Sequence, residues 1–560
     1  MFADGSDSRS YTQDGKSGWV AETIYAPLLF LAILLAVANR MYALDFASLW
    51  SDELWGLWVC SLGSWPALLE DMVFHDSHPP GYQTFLYVWL GLFGDSDISV
   101  RLPSVIAGVV SVYSVCVFAS KYFSRLIGLL SAAFLLTSFN AIYYSQEARA
   151  YSFILLFTIW HYHLLFLLFV DKSDRQLHRN LFTVVGALLA YFHYVGVVIV
   201  AAEALLFVVI PAFRRQLPKA IKLYGRIWLL YLPWFFVMIA HMLFPHESWE
   251  RPVPDSTTLM KTFEFILGPD VNRLFFGLFS LLSFTLYFSF HWLKRSLQDS
   301  TWLLFYLLCL AFLPLAIFYI KTNVTVSAYT IRHFIYIIPV LCIINAWAIE
   351  WVFIRIFPEF RGVHVVALLA LIVFVSQSIN VSGSIDMPRL LYRDSLKHEY
   401  REATMVIASD EAFMRQDRRD VFVSNVFFNH YLKRFGVRTK PARFVHEFHP
   451  EHMPEYEGYI ANDHIQDFYY MEILRNVEIR RFSPILQVFR KRYHAICQSE
   501  FKLVRTLKFT TRLPPNPGAK LSRCPRSEPD PAATSMPVLL KPAINEPPAG
   551  SAHPVLPAAQ

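Results

Sequence analysis

The chain has 560 residues, of which 55% are hydrophobic and 17% charged, and its formal net charge is +6. Soluble domains carry about 25% charged residues, so this composition excludes an ordinary soluble protein and indicates an integral membrane protein. The cysteines show no CxxC spacing, which argues against a structural zinc site. Cys497 and Cys524 are candidates for a disulfide in an oxidising compartment.

Apolar runs of about 20 residues predict about eleven transmembrane helices, two of them short. The polar tail 1–23 precedes the first run, and no cleavage site follows it, so we interpret that run as a retained anchor. Basic residues lie in alternate loops, which the positive-inside rule assigns to the cytoplasm together with the N-terminus. The predicted spans are 24–44, 99–120, 126–141, 149–170, 180–192, 195–213, 226–244, 273–292, 301–320, 332–354 and 363–383.

Residues 24–383 form the predicted transmembrane domain, and 45–98 form its first outer loop. Within that loop, the apolar segment Gly81 to Gly94 is too short to span a bilayer. If it crossed, every later basic loop would face outward. We therefore predict a juxtamembrane helix lying in the outer interface.

The chain becomes more polar after the last predicted span. Residues 384–512 are predicted to form a small extracytoplasmic α/β domain, and 513–560 a disordered Pro/Ala-rich tail. The predicted elements of the domain are strands at 421–425 and 457–462 and a helix at 426–435. The fold class is thus a polytopic α-helical membrane protein with a small soluble α/β domain.

The first outer loop is strongly acidic, with no Lys or Arg between Leu44 and Pro80. Within it, Asp52 and Glu53 are adjacent. One interpretation makes one carboxylate a general base while its neighbour orients an acceptor or binds a cation. The other interpretation is an acidic helix start, with Ser51 as the N-cap.

Histidines follow in the same loop. Asp71, His75 and His78 have a spacing that would place them on one face of a helix ending at His78, where they could hold a metal. Alternatively, the prolines after His78 hold its imidazole rigidly at the membrane surface, where it can donate to a phosphate oxygen. A plain turn before the next helix would also explain them.

Three further polar clusters fall at the outer ends of predicted spans. Arg149 either forms an ion pair with Glu147 or binds a phosphate through two oxygens. His193 interrupts an apolar stretch, where a buried, hydrogen-bonded histidine is the default interpretation. Arg332 either extends to lipid headgroups or joins the other clusters on this side. We expect Asp52 and these groups to lie together.

These segments, taken in order, resemble one family of membrane enzymes. The resemblance is to the GT-C glycosyltransferases that use polyprenyl-phosphate sugars, a group containing protein O-mannosyltransferases and lipid A aminoarabinose transferase. It covers about residues 20–383. The aminoarabinose enzymes have a lysine where this chain has His78, whereas the mannosyltransferases share the histidine. The motifs are W50-S-D-E53, D76-S-H-P-P80, R101-L-P-S-V-I-A-G108, S145-Q-E-A-R-A-Y151, H193-Y194 and R332-H333 with Pro339.

The resemblance implies an inverting transfer from a lipid-monophosphate sugar at the outer leaflet. Asp52 would be the base or acceptor-orienting acid, and Glu53 its companion. We expect His78, Arg149 and Arg332 to bind the donor phosphate. The remaining candidates for the substrate site are Asp76, Tyr82, Gln146, Glu147, Tyr151, His193, Tyr194 and His333.

The expected function is therefore a membrane glycosyltransferase, with a polyprenyl-phosphate-linked sugar as donor. The acceptor could be a lipid, a glycan or a protein, and we expect contact with membrane lipids but not with nucleic acid. No cofactor is assigned, and a divalent metal remains open. A bacterial inner membrane is the expected location.

Two other classes of function would require different sequence features. A lipid or sugar transporter, or flippase, would place ionisable residues near the middle of several spans, and Glu203 is a rare example here. A non-catalytic scaffold for the soluble domain would not need acids and arginines on one face.

Overall fold

The computed structural model describes most of the chain. The described residues are 22–244, 253–267, 299–324, 329–356, 399–417, 419–437, 443–444, 465–474, 484–501, 503–512 and 521–524. The predicted spans 273–292 and 363–383, the predicted strand 457–462 and most of the predicted C-terminal tail 513–560 lie outside these residues. Within that tail only 521–524 are described, and Ser522 there pairs with Cys497.

The N-terminal part is a bundle of helices. Most of its helices contribute apolar side chains to one large core. The helices are α1 (Glu22–Met41), α2 (Ser51–Cys60), α3 (Trp65–Phe74), α4 (Gly81–Phe93), α5 (Asp97–Tyr122), α6 (Arg125–Thr137), α7 (Phe139–Ser145), α8 (Tyr151–Phe169), α9 (Gln176–Phe192), α10 (Tyr194–Val209), α11 (Leu217–Leu243), α12 (Ser256–Leu267), α13 (Asp299–Val324) and α14 (Ile338–Ile356). Short 3₁₀ segments, Pro211–Gln216 and Ile331–Ile337, precede α11 and α14.

Six helical segments within the described residues are long and apolar enough to cross a membrane. A seventh is obtained if α6 and α7, which meet at 61°, count as one broken span. Two predicted spans correspond to α9 and α10, which have 17 and 16 residues and are shorter than the roughly 20 residues of a typical crossing. The protein is therefore polytopic, and the total of eleven spans remains a prediction.

The first outer loop contains three of these helices. The predicted juxtamembrane helix is α4, which starts directly after Pro79 and Pro80. The preceding helix, α3, ends at Phe74, about one turn earlier than we predicted. His75 caps its end, and His78 lies in the following loop, so Asp71, His75 and His78 do not share a helical face.

A small α/β region follows in the C-terminal part. Its sheet has the strand order β2-β1-β3-β5-β4, parallel between β1 and its two neighbours and antiparallel elsewhere. A disulfide joins Cys497 to Cys524. The elements are α15 (Tyr400–Ala408), α16 (Glu411–Met414), β1 (Asp420–Val423), α17 (Phe428–Arg434), β2 (Arg443–Phe444), β3 (Asp467–Ile473), α18 (Pro484–Arg490), β4 (His494–Phe501) and β5 (Val504–Thr510).

Candidate active site

The site lies where the first outer loop meets the ends of α5, α8, α9 and the segment before α14. Glu53 is the central structural residue of this region, with no exposed surface. Its Oε1 accepts hydrogen bonds from Arg101 Nε at 2.9 Å and from the Ala148 amide at 2.9 Å. Its Oε2 accepts from Arg101 Nη2 at 2.8 Å and from the Trp50 amide at 3.1 Å. Glu53 therefore joins α2, α5 and the chain before α8.

The start of α2 follows from the same contacts. Trp50 is the N-cap and Ser51 the first helical residue, so our interpretation of Ser51 as the N-cap is off by one position. The Glu53 side chain reaches back to the Trp50 amide, as the third residue of a capping box does. An acid near the N-terminus also suits the helix dipole.

Asp52 projects in a different direction from its neighbour. Its Oδ2 lies 3.1 Å from Nη1 of Arg332, and its side chain is 28% exposed. The guanidinium of Arg332 also lies over two aromatic rings, with 5.7 Å to the centre of Trp50 and 5.4 Å to that of Tyr151. Arg149 Nη1 donates to the main-chain carbonyl of Asp52 at 3.2 Å. Asp52 is thus a partly open carboxylate with two guanidinium groups beside it.

His78 is held by hydrogen bonds at both ring nitrogens. Nδ1 is 2.7 Å from Oδ1 of Asp76, and Nε2 is 3.5 Å from Nη2 of Arg149. Because an arginine can only donate, Nε2 is the acceptor and Nδ1 carries the proton in the neutral ring. The carboxylate of Asp76 also accepts from Nε1 of Trp55 at 3.1 Å. Burial opposes its ionisation, yet the interaction with His78, the hydrogen bond from Trp55 and the charge of Arg149 outweigh burial and lower the pKa of Asp76 to about 2.

His193 connects this group to the segment before α14. Its ring centre lies 5.6 Å from that of His78 and 4.8 Å from that of His333. Nδ1 accepts the Val195 amide at 3.2 Å and caps α10, so Nε2 carries the proton in the neutral ring. Within the described part of the chain, that buried Nε2 has no hydrogen-bond partner. Burial and the neighbouring histidines and arginines lower the pKa of His193 well below its usual value, which keeps the ring a neutral donor.

Two tyrosines from the sequence prediction lie beside these groups. Tyr151 lies under Arg332, and its ring centre is 5.8 Å from that of His193. Tyr82 is buried, with its ring against Phe153 at 6.0 Å. Its hydroxyl has no hydrogen-bond partner among the residues that the structure describes. The predicted candidates Asp52, Asp76, His78, Tyr82, Arg149, Tyr151, His193, Arg332 and His333 are therefore brought together.

Three other candidates have packing contacts. Gln146 Nε2 donates to the main-chain carbonyls of Arg40 and Tyr42, at 3.2 and 2.8 Å, and holds the end of α1. Glu147 is buried, and its main-chain carbonyl accepts the Arg149 amide at 2.8 Å.

Tyr194, the third of these candidates, belongs to a separate hydrogen-bonded group. Its hydroxyl is 2.9 Å from Nδ1 of His241 and accepts from Nε1 of Trp234 at 3.2 Å. Nε2 of His241 in turn lies 2.9 Å from the Val73 carbonyl, so this group fixes α11 against α3.

The sequence interpretation missed Arg101 as a contributor to the site. Arg101 is 2% exposed and donates to the main-chain carbonyls of Leu44, Ala47 and Ser48 as well as to Glu53. The available signal was an arginine in the first turns of an otherwise apolar helix, because such a charge is costly unless it is paired.

The described residues contain no group of three or more His, Cys, Asp or Glu side chains that could hold a metal ion. The proposed triplet of Asp71, His75 and His78 is absent as a ligand set because its members lie on a helix, a cap and a loop. The arrangement instead combines one partly exposed carboxylate with arginines and imidazoles. The carboxylate can accept a proton, and the arginines and imidazoles beside it can bind an anion.

Comparison with known proteins gives one family match and two similar folds. Residues 77–241 match the family model of dolichyl-phosphate-mannose-protein mannosyltransferase. Two crystal structures of ArnT from Cupriavidus metallidurans, one apo and one bound to undecaprenyl phosphate, have similar folds. Each has a TM-score of 0.54, at 12% and 11% identity, and the match covers 86% and 87% of this chain and 98% of ArnT. No curated protein sequence matches the chain.

The matched family segment contains His78, Arg149 and His193, and the fold similarity extends over most of the chain. Together they show that the chain has a fold similar to that of ArnT, and that its residues 77–241 are similar to the dolichyl-phosphate-mannose-protein mannosyltransferase family.

Proposed function

We propose that the protein transfers a sugar from a polyprenyl-phosphate donor to a hydroxyl group, with Asp52 as the general base. The observation that carries the proposal is the ion pair between Asp52 and Arg332, with Arg149 bound to the Asp52 main chain. Proton acceptor and phosphate-binding groups are then adjacent, as a single displacement requires. One ArnT structure of the same fold is bound to undecaprenyl phosphate, which supports a donor of this class.

The reaction proposed is an inverting displacement. The acceptor oxygen forms a bond to the anomeric carbon while the bond from that carbon to the phosphate oxygen breaks. The bonding electrons go to the lipid phosphate, and the proton of the acceptor goes to a carboxylate oxygen of Asp52. The transition state resembles an oxocarbenium ion, which a nearby carboxylate stabilises.

The departing phosphate needs positive charge and hydrogen-bond donors more than it needs an acid. Arg149 and Arg332 supply two guanidinium groups, whose planar donors match phosphate oxygens. His193 adds a neutral Nε2 donor, and His78, held by Asp76, fixes the position of Arg149. Donors arranged before the reaction stabilise developing charge without reorganisation.

The geometry changes the role that we assign to Glu53. Each of its carboxylate oxygens accepts two hydrogen bonds, including both from Arg101. An oxygen used in this way is a poor proton acceptor. We therefore propose that Glu53 positions Asp52, and that Asp52 alone acts as the base.

We further propose that the site faces the extracytoplasmic side of a bacterial inner membrane. The opposite ends of the helices carry Lys121, Arg125 and Lys219, as expected for the cytoplasmic side. The disulfide between Cys497 and Cys524 also suits a C-terminal domain in an oxidising compartment.

A panel of radiolabelled polyprenyl-phosphate sugars, offered to purified protein in liposomes with lipid, glycan and peptide acceptors, tests the function. We expect the wild type to transfer label from one donor and to release polyprenyl phosphate. Asp52→Asn should abolish transfer while the protein keeps its elution profile and thermal stability. If this variant turns over at a near-normal rate, Asp52 is not the base. Movement of an intact labelled donor across the liposome membrane would instead indicate a flippase.

A further inference from the structure

We propose that Arg401, in the C-terminal domain, is a positioning residue for Asp52, and that Asp97 holds Arg401 in place. The inference rests on the proposed role of Asp52. It assigns a function to the C-terminal domain: α15 and α17 of that domain fix the loop that leads into α2.

Arg401 binds the main chain of the first outer loop. Its Nη1 donates to the Asp45 carbonyl at 2.7 Å, and its Nη2 donates to the Phe46 carbonyl at 2.7 Å. Arg101 of α5 donates to the carbonyls on either side of these two, those of Leu44, Ala47 and Ser48. Five consecutive carbonyls, those of Leu44, Asp45, Phe46, Ala47 and Ser48, therefore accept hydrogen bonds from two guanidinium groups.

The main chain of this loop lacks enough hydrogen bonds of its own to fix its conformation. The segment from Leu44 to Trp50 has no extended helix or strand, so most of its main-chain groups need partners from elsewhere. Side chains supply these partners up to the residue at which α2 begins. The direction of Asp52, in the first turn of α2, therefore depends on both arginines.

Asp97, at the start of α5, links the helical bundle to the C-terminal domain. It is 2% exposed, and its carboxylate accepts from Arg401 Nη1 at 3.0 Å and from Arg434 Nη1 at 2.5 Å. It also accepts from the Tyr431 hydroxyl at 3.2 Å. That hydroxyl accepts the Leu49 amide at 2.8 Å, so Asp97 reaches the loop by a second route.

Apolar packing joins the same surfaces. Leu49 and Leu54 belong to one buried core together with Tyr400 and Ala403 of α15. The ring of Trp55 meets Phe427 edge-on at 6.4 Å, and its Nε1 holds Asp76, the partner of His78. The C-terminal domain therefore contacts both the loop that carries the base and a residue that supports the phosphate-binding group.

The inference predicts a selective loss of turnover. If the loop is no longer held, α2 still forms, but Asp52 no longer stays in register with Arg332. A misplacement of about 1 Å costs on the order of a hundredfold in rate. We expect Arg401→Met to lower kcat by about tenfold to a hundredfold, with little change in KM for the donor, because Arg401 touches none of the proposed phosphate-binding groups.

The test compares Arg401→Met, Arg401→Lys and Asp97→Asn with a matched control, Asp410→Asn. Asp410 is a buried carboxylate of the same domain that accepts from Tyr469 and Lys508, neither of which belongs to the first outer loop. Hydrogen–deuterium exchange of the full-length protein in detergent is measured over residues 44–60, alongside kcat and KM.

We expect faster exchange over residues 44–60 and reduced kcat in the Arg401 and Asp97 variants. Arg401→Lys should recover part of the loss, since an ammonium group keeps the positive charge beside Asp97 but lacks the planar fork that reaches both carbonyls. Asp410→Asn should lower the thermal stability and leave kcat and the exchange of 44–60 as in the wild type.

Two results overturn the inference. The first is unchanged exchange of residues 44–60 when Arg401 is replaced. The second is a loss of kcat in Asp410→Asn as large as in Arg401→Met, which would show that general domain stability matters and not the loop contact. Failure of the proposed function is distinct from both, because Asp52→Asn would then retain transfer whatever the Arg401 variants do.

Discussion

Asp52 and Arg332 form an ion pair of 3.1 Å, although Asp52 lies in the first turn of α2 and Arg332 lies in the 3₁₀ segment before α14. The pair closes the site between two distant parts of the chain. Arg332 is further fixed by Trp50, the residue that caps α2, and by Tyr151, the first residue of α8. Its position is therefore set by shape as well as by charge.

Replacement of Arg332 by lysine tests whether that shape matters. A lysine keeps the charge but loses the planar fork that can face a carboxylate and a phosphate together and lie over two rings. We expect kcat to fall by about a hundredfold, as for the loss of one electrostatic contact to the transition state. Single-turnover transfer of labelled sugar measures the effect.

The control for this substitution is Arg415→Lys. Arg415 pairs with Glu411 on the surface of the C-terminal domain, with 80% of each side chain exposed. The Arg415→Lys substitution should leave the rate of sugar transfer unchanged. Equal transfer rates for Arg332→Lys and the wild type would show that catalysis does not depend on the planar shape of the guanidinium group.

Glu53→Gln should destabilise the protein, whereas Asp52→Asn should not. The substitution removes the charge that balances Arg101, which is 2% exposed. Leaving one partner of a buried ion pair unpaired costs about 3–5 kcal/mol. In detergent, the unfolding temperature should fall clearly for Glu53→Gln and change little for Asp52→Asn. The same unfolding temperature for both would contradict the separate roles assigned to these neighbours.

Sequence patterns predicted the membrane helices, the short helix α4 and the grouping of Asp52, His78, Arg149 and Arg332. Hydrophobic length and the cost of intramembrane charge are local properties, which explains this outcome. The division of labour between Asp52 and Glu53 could not be predicted, because both residues have the same chemistry and differ only in which partner each meets. Arg101 and Arg401 come from distant segments, and only the fold brings them to the same loop.

Two further differences follow from contacts that the spacing does not reveal. The helix α3 ends at Phe74 because the Asp76 side chain accepts the His78 amide at 3.0 Å and turns the chain before the prolines. Gln146 is a polar residue at the outer end of a predicted span, which suggested substrate binding. Its side-chain amide instead donates hydrogen bonds to main-chain carbonyls at the end of α1.

His193 should make the protein sensitive to acid. The pKa of its buried ring is well below the ordinary value of 6.5, since burial and the nearby His333, His78, Arg149 and Arg332 disfavour a further positive charge. Below about pH 6.5 the unfolded chain takes up a proton at this position that the folded chain does not. This group therefore lowers the stability as the pH falls, by about 1.4 kcal/mol per pH unit.

Measuring the unfolding temperature from pH 7.5 to pH 5 checks this contribution. His193→Gln, whose side-chain oxygen can still accept the Val195 amide, should show a smaller decrease than the wild type over that range. Parallel curves for the wild type and His193→Gln would show that His193 is not the group responsible.

Gly196 is required where α9 ends and α10 begins, beside His193. A Cβ atom at this position would overlap the main-chain carbonyl of Leu189 and approach the Ala190 amide to 3.0 Å, and neither can rotate away. Gly196→Ala should therefore push α10 from α9 and displace the His193 ring, so both unfolding temperature and transfer should decrease. Gly225→Ala in α11 is the control, since no atom lies within 4 Å of the Cβ added there. A Gly196→Ala protein with wild-type stability and transfer would show that the contact between these two helices does not position His193.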